Sequence, residues 1–200
     1  EQILHTTAAA KMLDALEDNL LLPPIQSSVV PLPHQLYALN RAISRDRIRY
    51  LLADEVGLGK TIEAGLVLSE LKLRGRVNRI LVVAPKGLVR QWQAEMRLHF
   101  GEKFQFIEPS ELAAFRQWRS GGAGEEENLW RMHDQVICSL DSVKPLEGRR
   151  GWSLEQLNTY NRERFEDLIS ASWDLVIIDE AHRMGGSTEQ VARYKLGAAL

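Results

Sequence analysis

Residues 51–61 read LLADEVGLGKT, from Leu51 to Thr61. An apolar run enters a glycine turn, Gly57 to Gly59, then Lys60 and Thr61, and a stretch with helical periodicity from Thr61 to Arg74 follows. Each part suits a phosphate. Glycines reach positive φ and let backbone N–H groups curl around an anion. The helix N-terminus adds its dipole, the Lys60 ammonium reaches the β/γ-phosphates, and the Thr61 hydroxyl can ligate Mg²⁺. The usual form of this loop has a glycine five residues before Gly59, where this chain has Asp54. Strand, loop and helix in that order predict an α/β protein built on a P-loop.

The flanking chain repeats the alternation. Apolar runs at Tyr50–Ala53, Arg79–Ala84 (RILVVA), Gln135–Leu140 (QVICSL) and Leu175–Ile178 (LVII) read as strands, and Lys103–Ile107 as a further short one. Helical patterns fall at Thr7–Leu22, which stops at Pro23-Pro24, and at Leu32–Arg45, entered through Pro33. Others fall at Gly87–Phe100, Pro109–Arg119, and from Ser153 to about Ser172, where Ser153 and Gln156 form a capping box. Gly121–Asn128 (GGAGEEEN) reads as a solvated loop. Strands alternating with helices predict a parallel sheet covered on both faces, with ligands beyond the carboxyl ends of its strands. The polar signals fall at those ends.

The second such signal is Asp174–His182, DLVIIDEAH. Asp179 is expected to leave a buried strand and hold Mg²⁺ through water; Glu180 is placed to orient or deprotonate an attacking water. Adjacent carboxylates after four apolar residues are costly unless a cation sits there. A solvated strand end is the plainer alternative.

Composition narrows the class. Two hundred residues, 44% apolar and 26% charged, describe a globular chain, not a disordered or collagen-like one. It has no run of 18 apolar residues and none of the order of a secretory signal. One cysteine, Cys138, suits a reducing, cytoplasmic setting. With 25 basic and 27 acidic residues the net charge is −2, so affinity for nucleic acid needs a local basic face. Such a face is expected between Leu71 and Ala94, where Lys72, Arg74, Arg76, Arg79, Lys86 and Arg90 meet no acid, with a second cluster at Arg41, Arg45, Arg47 and Arg49. Pro85, Lys86, Arg90 and Gln91 follow a strand end and open a helix, a geometry for phosphate-backbone contact; a solvated basic face is the alternative. Trp92 reads as core packing in preference to base stacking. Gln35 carries a donor and an acceptor and could read an adenine edge; a surface helix residue is the alternative.

These segments together resemble a family. DEVGLGKT, PKGLVRQW at Pro85–Trp92, SLD at Ser139–Asp141 and DEAH at Asp179–His182 are similar to motifs I, Ia, Ib and II of the Swi/Snf-type ATPases of helicase superfamily two. Leu32-Pro33-His34-Gln35 resembles their adenine-recognising Q motif, and VGLGKTIEAG at Val56–Gly65 resembles the bacterial, RapA-like branch. In that family an aspartate replaces the first P-loop glycine, as Asp54 does. The DEAD-box loop and the N-K-x-D of GTPases are absent.

The resemblance spans Pro31–Gly186 and implies residues 31–200 as a first RecA-like lobe, three-layered, preceded by an extension or linker at 1–30. It implies an ATP- and Mg²⁺-using, helicase-like ATPase. Lys60, Asp179 and Glu180 would be catalytic; Gln35, Gly57, Gly59, Lys60 and Thr61 would hold the nucleotide; Thr61 and Asp179 would hold the metal. Pro85, Lys86, Arg90, Gln91 and Ser139 would face a nucleic-acid backbone, although a cap suits Ser139 nearly as well. His182 would couple the two sites. The implied partner is nucleic acid, double-stranded DNA foremost, or RNA polymerase or another complex, with no membrane role. A non-hydrolysing ATP-binding scaffold is the competing reading, against which Lys60, Thr61, Asp179 and Glu180 stand intact. The family's second lobe and its later motifs are not in these residues, so the 200-residue chain alone is expected to be nearly inactive. The strand that would separate the P-loop strand from the DEAH strand is also expected to be missing. That would leave open edges, prone to self-association.

Overall fold

The structure, a computed structural model, describes residues 28–44, 49–53, 57–120, 127–146 and 148–181. The chain forms two compact units, the first ending at Arg74 and the second starting at Gly75. Expectations for residues 1–27, for Asp54 and for His182 lie outside the described residues.

In the first unit, helix α1 (Pro33–Ile43) starts at its proline, whose fixed φ suits a first helical position. It buries Gln35, Ala38, Leu39 and Ala42, the i, i+3, i+4, i+7 stripe of an amphipathic helix. Helix α2 (Lys60–Leu73) is the P-loop helix and packs on α1. It buries almost all of Glu63–Leu71. Glu70, fully buried, meets the guanidinium of Arg74 one turn on.

Tyr50–Ala53, expected as a strand, is not one. Leu51 is 71% exposed and no ladder takes up the backbone of this stretch. An apolar run becomes a strand only when a neighbour satisfies its N–H and C=O groups.

The second unit holds a four-stranded, all-parallel sheet. Its strands are β1 (Ile80–Ala84), β2 (Gln105–Phe106), β3 (Gln135–Ser139) and β4 (Leu175–Ile178), in the order β2-β3-β1-β4. Between them run α3 (Val89–Phe100), α4 (Pro109–Ser120), a 3₁₀ turn at Leu129–Arg131, the short α5 (Leu140–Val143) and α6 (Leu154–Ser170). The predicted capping box opens α6: Gln156 N donates to Ser153 Oγ and Ser153 N donates to Gln156 Oε1.

Alternation in the strands sorts the core. Leu81, Val83, Val136 and Cys138 share one face and pack with Ile107, Trp130, Val143 and Leu168. On the other face Val82 lies beside Ile137 and Ile177. Strand β1, flanked on both sides, is buried at every position. Strand β4 pairs only with β1 and is half-buried throughout. Among the described residues the most apolar strand is therefore an edge strand, not the buried one expected. Among the described residues the sheet is continuous.

The start of the sheet is tied by one arginine and one aspartate. Asp174 Oδ2 accepts the backbone N–H groups of Asn78 and Arg79, each at 2.8 Å. The Arg79 guanidinium donates to the carbonyls of Trp130 (2.8 Å) and Ala171 (3.0 Å) and lies 5.1 Å from the centre of the Trp173 ring. Arg79 thus leaves the basic face on which the sequence placed it. Arg74 stays exposed, but its charge is paired with Glu70.

Candidate nucleotide and metal site

A P-loop lies in the first unit. Gly57 (φ +93°) and Gly59 (φ +83°) are both left-handed, the conformation that glycine adopts without a Cβ penalty. Gly59 is the N-cap of α2, and no side chain caps that terminus. The first turn of a helix carries N–H groups with no intrahelical partner, at its positive end. Lys60 and Thr61 open that turn and are half-buried. A Cβ on Gly59 would come within 2.7 Å of Gln35 Nε2, so a side chain there would push the Gln35 amide aside, and the left-handed φ is the stronger bar.

Gln35 is 4% exposed and sits beneath this loop. Its Nε2 donates to the Leu58 carbonyl at 3.2 Å, and its Oε1 accepts from Leu32 N at 2.9 Å. His34 Nε2 also reaches the Leu58 carbonyl at 3.2 Å. The surface-helix alternative for Gln35 does not hold. Its amide clamps the P-loop to the start of α1, with one N–H and further acceptor capacity left for a ligand edge.

An acidic strand end lies in the second unit, at the carboxyl end of the sheet. Asp179 N donates to Val83 O at 2.8 Å, which extends the β1–β4 ladder to the aspartate. Its carboxylate accepts twice: Oδ2 from Trp92 Nε1 and Oδ1 from Glu180 N, both at 2.8 Å. Each oxygen keeps lone-pair capacity for a metal-bound water. Glu180 follows at φ +54°. A left-handed non-glycine residue costs about 1–2 kcal/mol, and such strain concentrates at functional sites.

Two other strand ends lie beside it. Ala84 of β1 registers with Ser139 of β3, so Pro85 and Lys86 leave the sheet next to Ser139. Lys86, Arg90 and Gln91 are exposed. Arg90 stands 5.2 Å from the centre of the Phe106 ring and 3.6 Å from Glu108. Ser139 is corrected: it is 2% exposed and its Oγ accepts from Ser142 N at 3.2 Å, capping α5. The cap, not contact with a nucleic-acid backbone, is what the geometry gives this residue, because its hydroxyl is buried and engaged.

The sequence foresaw the burial of Trp92 but not its bond to Asp179. A signal was there: an indole N–H taken into a core needs an acceptor. Burial pushes the Cys138 thiol up, so this cysteine is inert packing. Among the described residues no cluster of three or more His, Cys, Asp or Glu forms a metal cage.

The chain was compared with known proteins. The model of the SNF2-related domain matches residues 34–197. The RNA polymerase-associated protein RapA of Proteus mirabilis (strain HI4320) is 36% identical over 169 residues, and that of Yersinia pestis (strain Pestoides F) is 38% identical over 169. Each alignment covers 84% of this chain and 15% of the relative, so the chain spans a small part of their length. Among solved structures, the SWI2/SNF2 ATPase core of Sulfolobus solfataricus in complex with dsDNA aligns with a TM-score of 0.52 at 18% identity. It covers 80% of this chain and 34% of that one, and supports the same RecA-like α/β fold. With the family model matched over most of its length and these relatives above a third identical, the chain belongs to the SNF2-related domain family.

Proposed function

We propose that this chain is the first ATP-binding lobe of an ATP-dependent, helicase-like motor that works on nucleic acid, duplex DNA foremost. The observation that carries the reading is the pair of left-handed glycines leading into the uncapped N-terminus of α2, with Lys60 and Thr61 in its first turn. That is a cradle for a polyphosphate. The Asp179–Glu180 pair at the carboxyl end of the sheet supports the hydrolytic half.

On this reading Lys60 neutralises the β/γ-phosphate oxygens and the Thr61 hydroxyl and Asp179 carboxylate would hold Mg²⁺. When bound, that ion offsets the charge of the transferring phosphoryl group. Glu180 orients a water and accepts its proton. Gln35, already braced against Leu58, meets the adenine with its remaining N–H and lone pair. Pro85, Lys86, Arg90 and Gln91 contact a phosphate backbone. His182 relays between the two surfaces. Hydrolysis needs a second lobe to close the site, so the 200 residues alone turn over ATP negligibly, and the open edge of β4 favours self-association of the isolated lobe.

A second reading of the target is favoured by the relatives, which are named for association with RNA polymerase. The same motor would then remodel a polymerase–nucleic-acid complex in the bacterial cytoplasm. No described helix is long and apolar enough to cross a membrane.

The test is the ATPase rate of the complete protein, alone and with duplex DNA, single-stranded DNA or RNA. Stimulation by duplex, lost with Lys60→Ala, is the expected result. A rate that no nucleic acid changes, or that Lys60→Ala leaves intact, would contradict the motor reading. Co-migration with RNA polymerase would support the second target.

A further inference from the structure

Asp179 is aimed by more than its own strand. Its Oδ1 bond to Glu180 N is local, made to the next residue. Its Oδ2 bond to Trp92 Nε1 spans 87 positions of sequence and joins α3 to the end of β4. Among the described residues this indole is the one side chain that donates to the carboxylate. Trp92 is 5% exposed, so the donor end of the bond is buried. An indole N–H donates in one fixed direction, along the ring plane, and accepts nothing. Bonded through both oxygens, the Asp179 carboxylate is held in one orientation.

We propose that Trp92 is a positioning residue for the divalent ion, orienting the Asp179 carboxylate in the way that outer-shell donors orient metal ligands. The inference rests on the Mg–nucleotide reading above. It separates the two roles of α3: Arg90 and Gln91 at its first turn are exposed, while the next residue turns inward to the aspartate. Packing alone would need only an aromatic ring at position 92. Positioning needs the N–H.

Trp92→Phe keeps a ring and removes the donor. In the complete protein, nucleotide binding is titrated with Mg²⁺ at fixed nucleotide and with nucleotide at saturating Mg²⁺. The half-saturating Mg²⁺ concentration is expected to rise about tenfold, the lower range for loss of an outer-shell partner. Affinity for nucleotide in EDTA should stay within about twofold, a split that simple loosening of the fold would not give. An unchanged Mg²⁺ requirement in a folded Trp92→Phe protein overturns the inference while the parent's Mg²⁺-dependent binding leaves the nucleotide reading standing. If the parent itself takes up no nucleotide with Mg²⁺, both fall. Should Trp92→Phe not fold, a crystal structure of the parent with Mg²⁺ and a non-hydrolysable ATP analogue decides. A retained Trp92 Nε1–Asp179 bond supports the inference, and an Asp179 carboxylate turned away from the indole overturns it.

Discussion

Strand β4 begins just after one aspartate and ends just before another. Asp174 and Asp179 flank the same four apolar residues, and each carboxylate accepts two N–H groups at 2.8 Å. Their donors differ. Asp174 holds two consecutive backbone amides of the segment entering β1, so it closes the start of the sheet. Asp179 holds a side-chain indole and the amide of its strained neighbour, and keeps lone pairs directed beyond the strand ends. The parallel sheet sets this polarity: the same residue type is a tie at one end and, on the proposed reading, a ligand-binding group at the other.

Substitutions at the two ends should therefore move different observables. Asp179→Asn in the complete protein is expected to lower nucleic-acid-stimulated ATP hydrolysis at least about 100-fold, the scale for loss of a group that stabilises transition-state charge. Hydrogen-exchange protection of the β1 and β4 amides should barely change. Loss of that protection in parallel with activity would make Asp179 a tie as well, and erase the distinction between the ends.

Arg79→Ala should show the opposite pattern. It strips donors from the Trp130 and Ala171 carbonyls and a cation from the Trp173 ring. About 2 kcal/mol of local stability is expected to be lost, read as faster exchange of the β1 amides. The salt dependence of DNA binding should keep its slope, since Arg79 is committed inside the fold; a shallower slope would return it to the basic face.

Asp174→Asn gives the smallest effect, about 1 kcal/mol, because the site is exposed. Backbone N–H bonds from Arg79 first and Asn78 second hold the Asp174 carboxyl below the usual carboxylate range. A carboxyl depressed in the folded state adds stability that is present above its unfolded value and lost as pH falls through its folded value. The gap between parent and Asp174→Asn should be constant above about pH 5 and close below about pH 4. A gap that grows on acidification would contradict this sign.

Much of the fold was legible because it is local. Pro33 marks the start of α1, Ser153 and Gln156 mark that of α6, and the runs ILVVA, QVICS and LVII are strands because continuous apolar stretches suit a sheet covered on both faces. What the sequence hid depends on distant partners. Tyr50–Ala53 has strand composition but no ladder. Leu175–Ile178 is the most apolar strand, yet among the described residues it is half-buried where a buried strand was expected. Ser139 looked outward in a motif and points inward in the fold. The Asn78–Arg79 amides meet their acceptor 95 or more positions away, with no motif to announce it. The left-handed glycines before α2 and the strand that ends before Asp179 were readable because turn and strand need those residue types there. The indole that steadies Asp179 was not, since a buried tryptophan reads as packing.

The most direct test is calorimetry of nucleotide binding to the complete protein, with and without Mg²⁺, in the parent and in Lys60→Ala. Mg²⁺-dependent ATP uptake in the parent, lost or weakened at least about tenfold without the Lys60 ammonium, is the expected result. Uptake that ignores both the metal and the substitution would contradict the account.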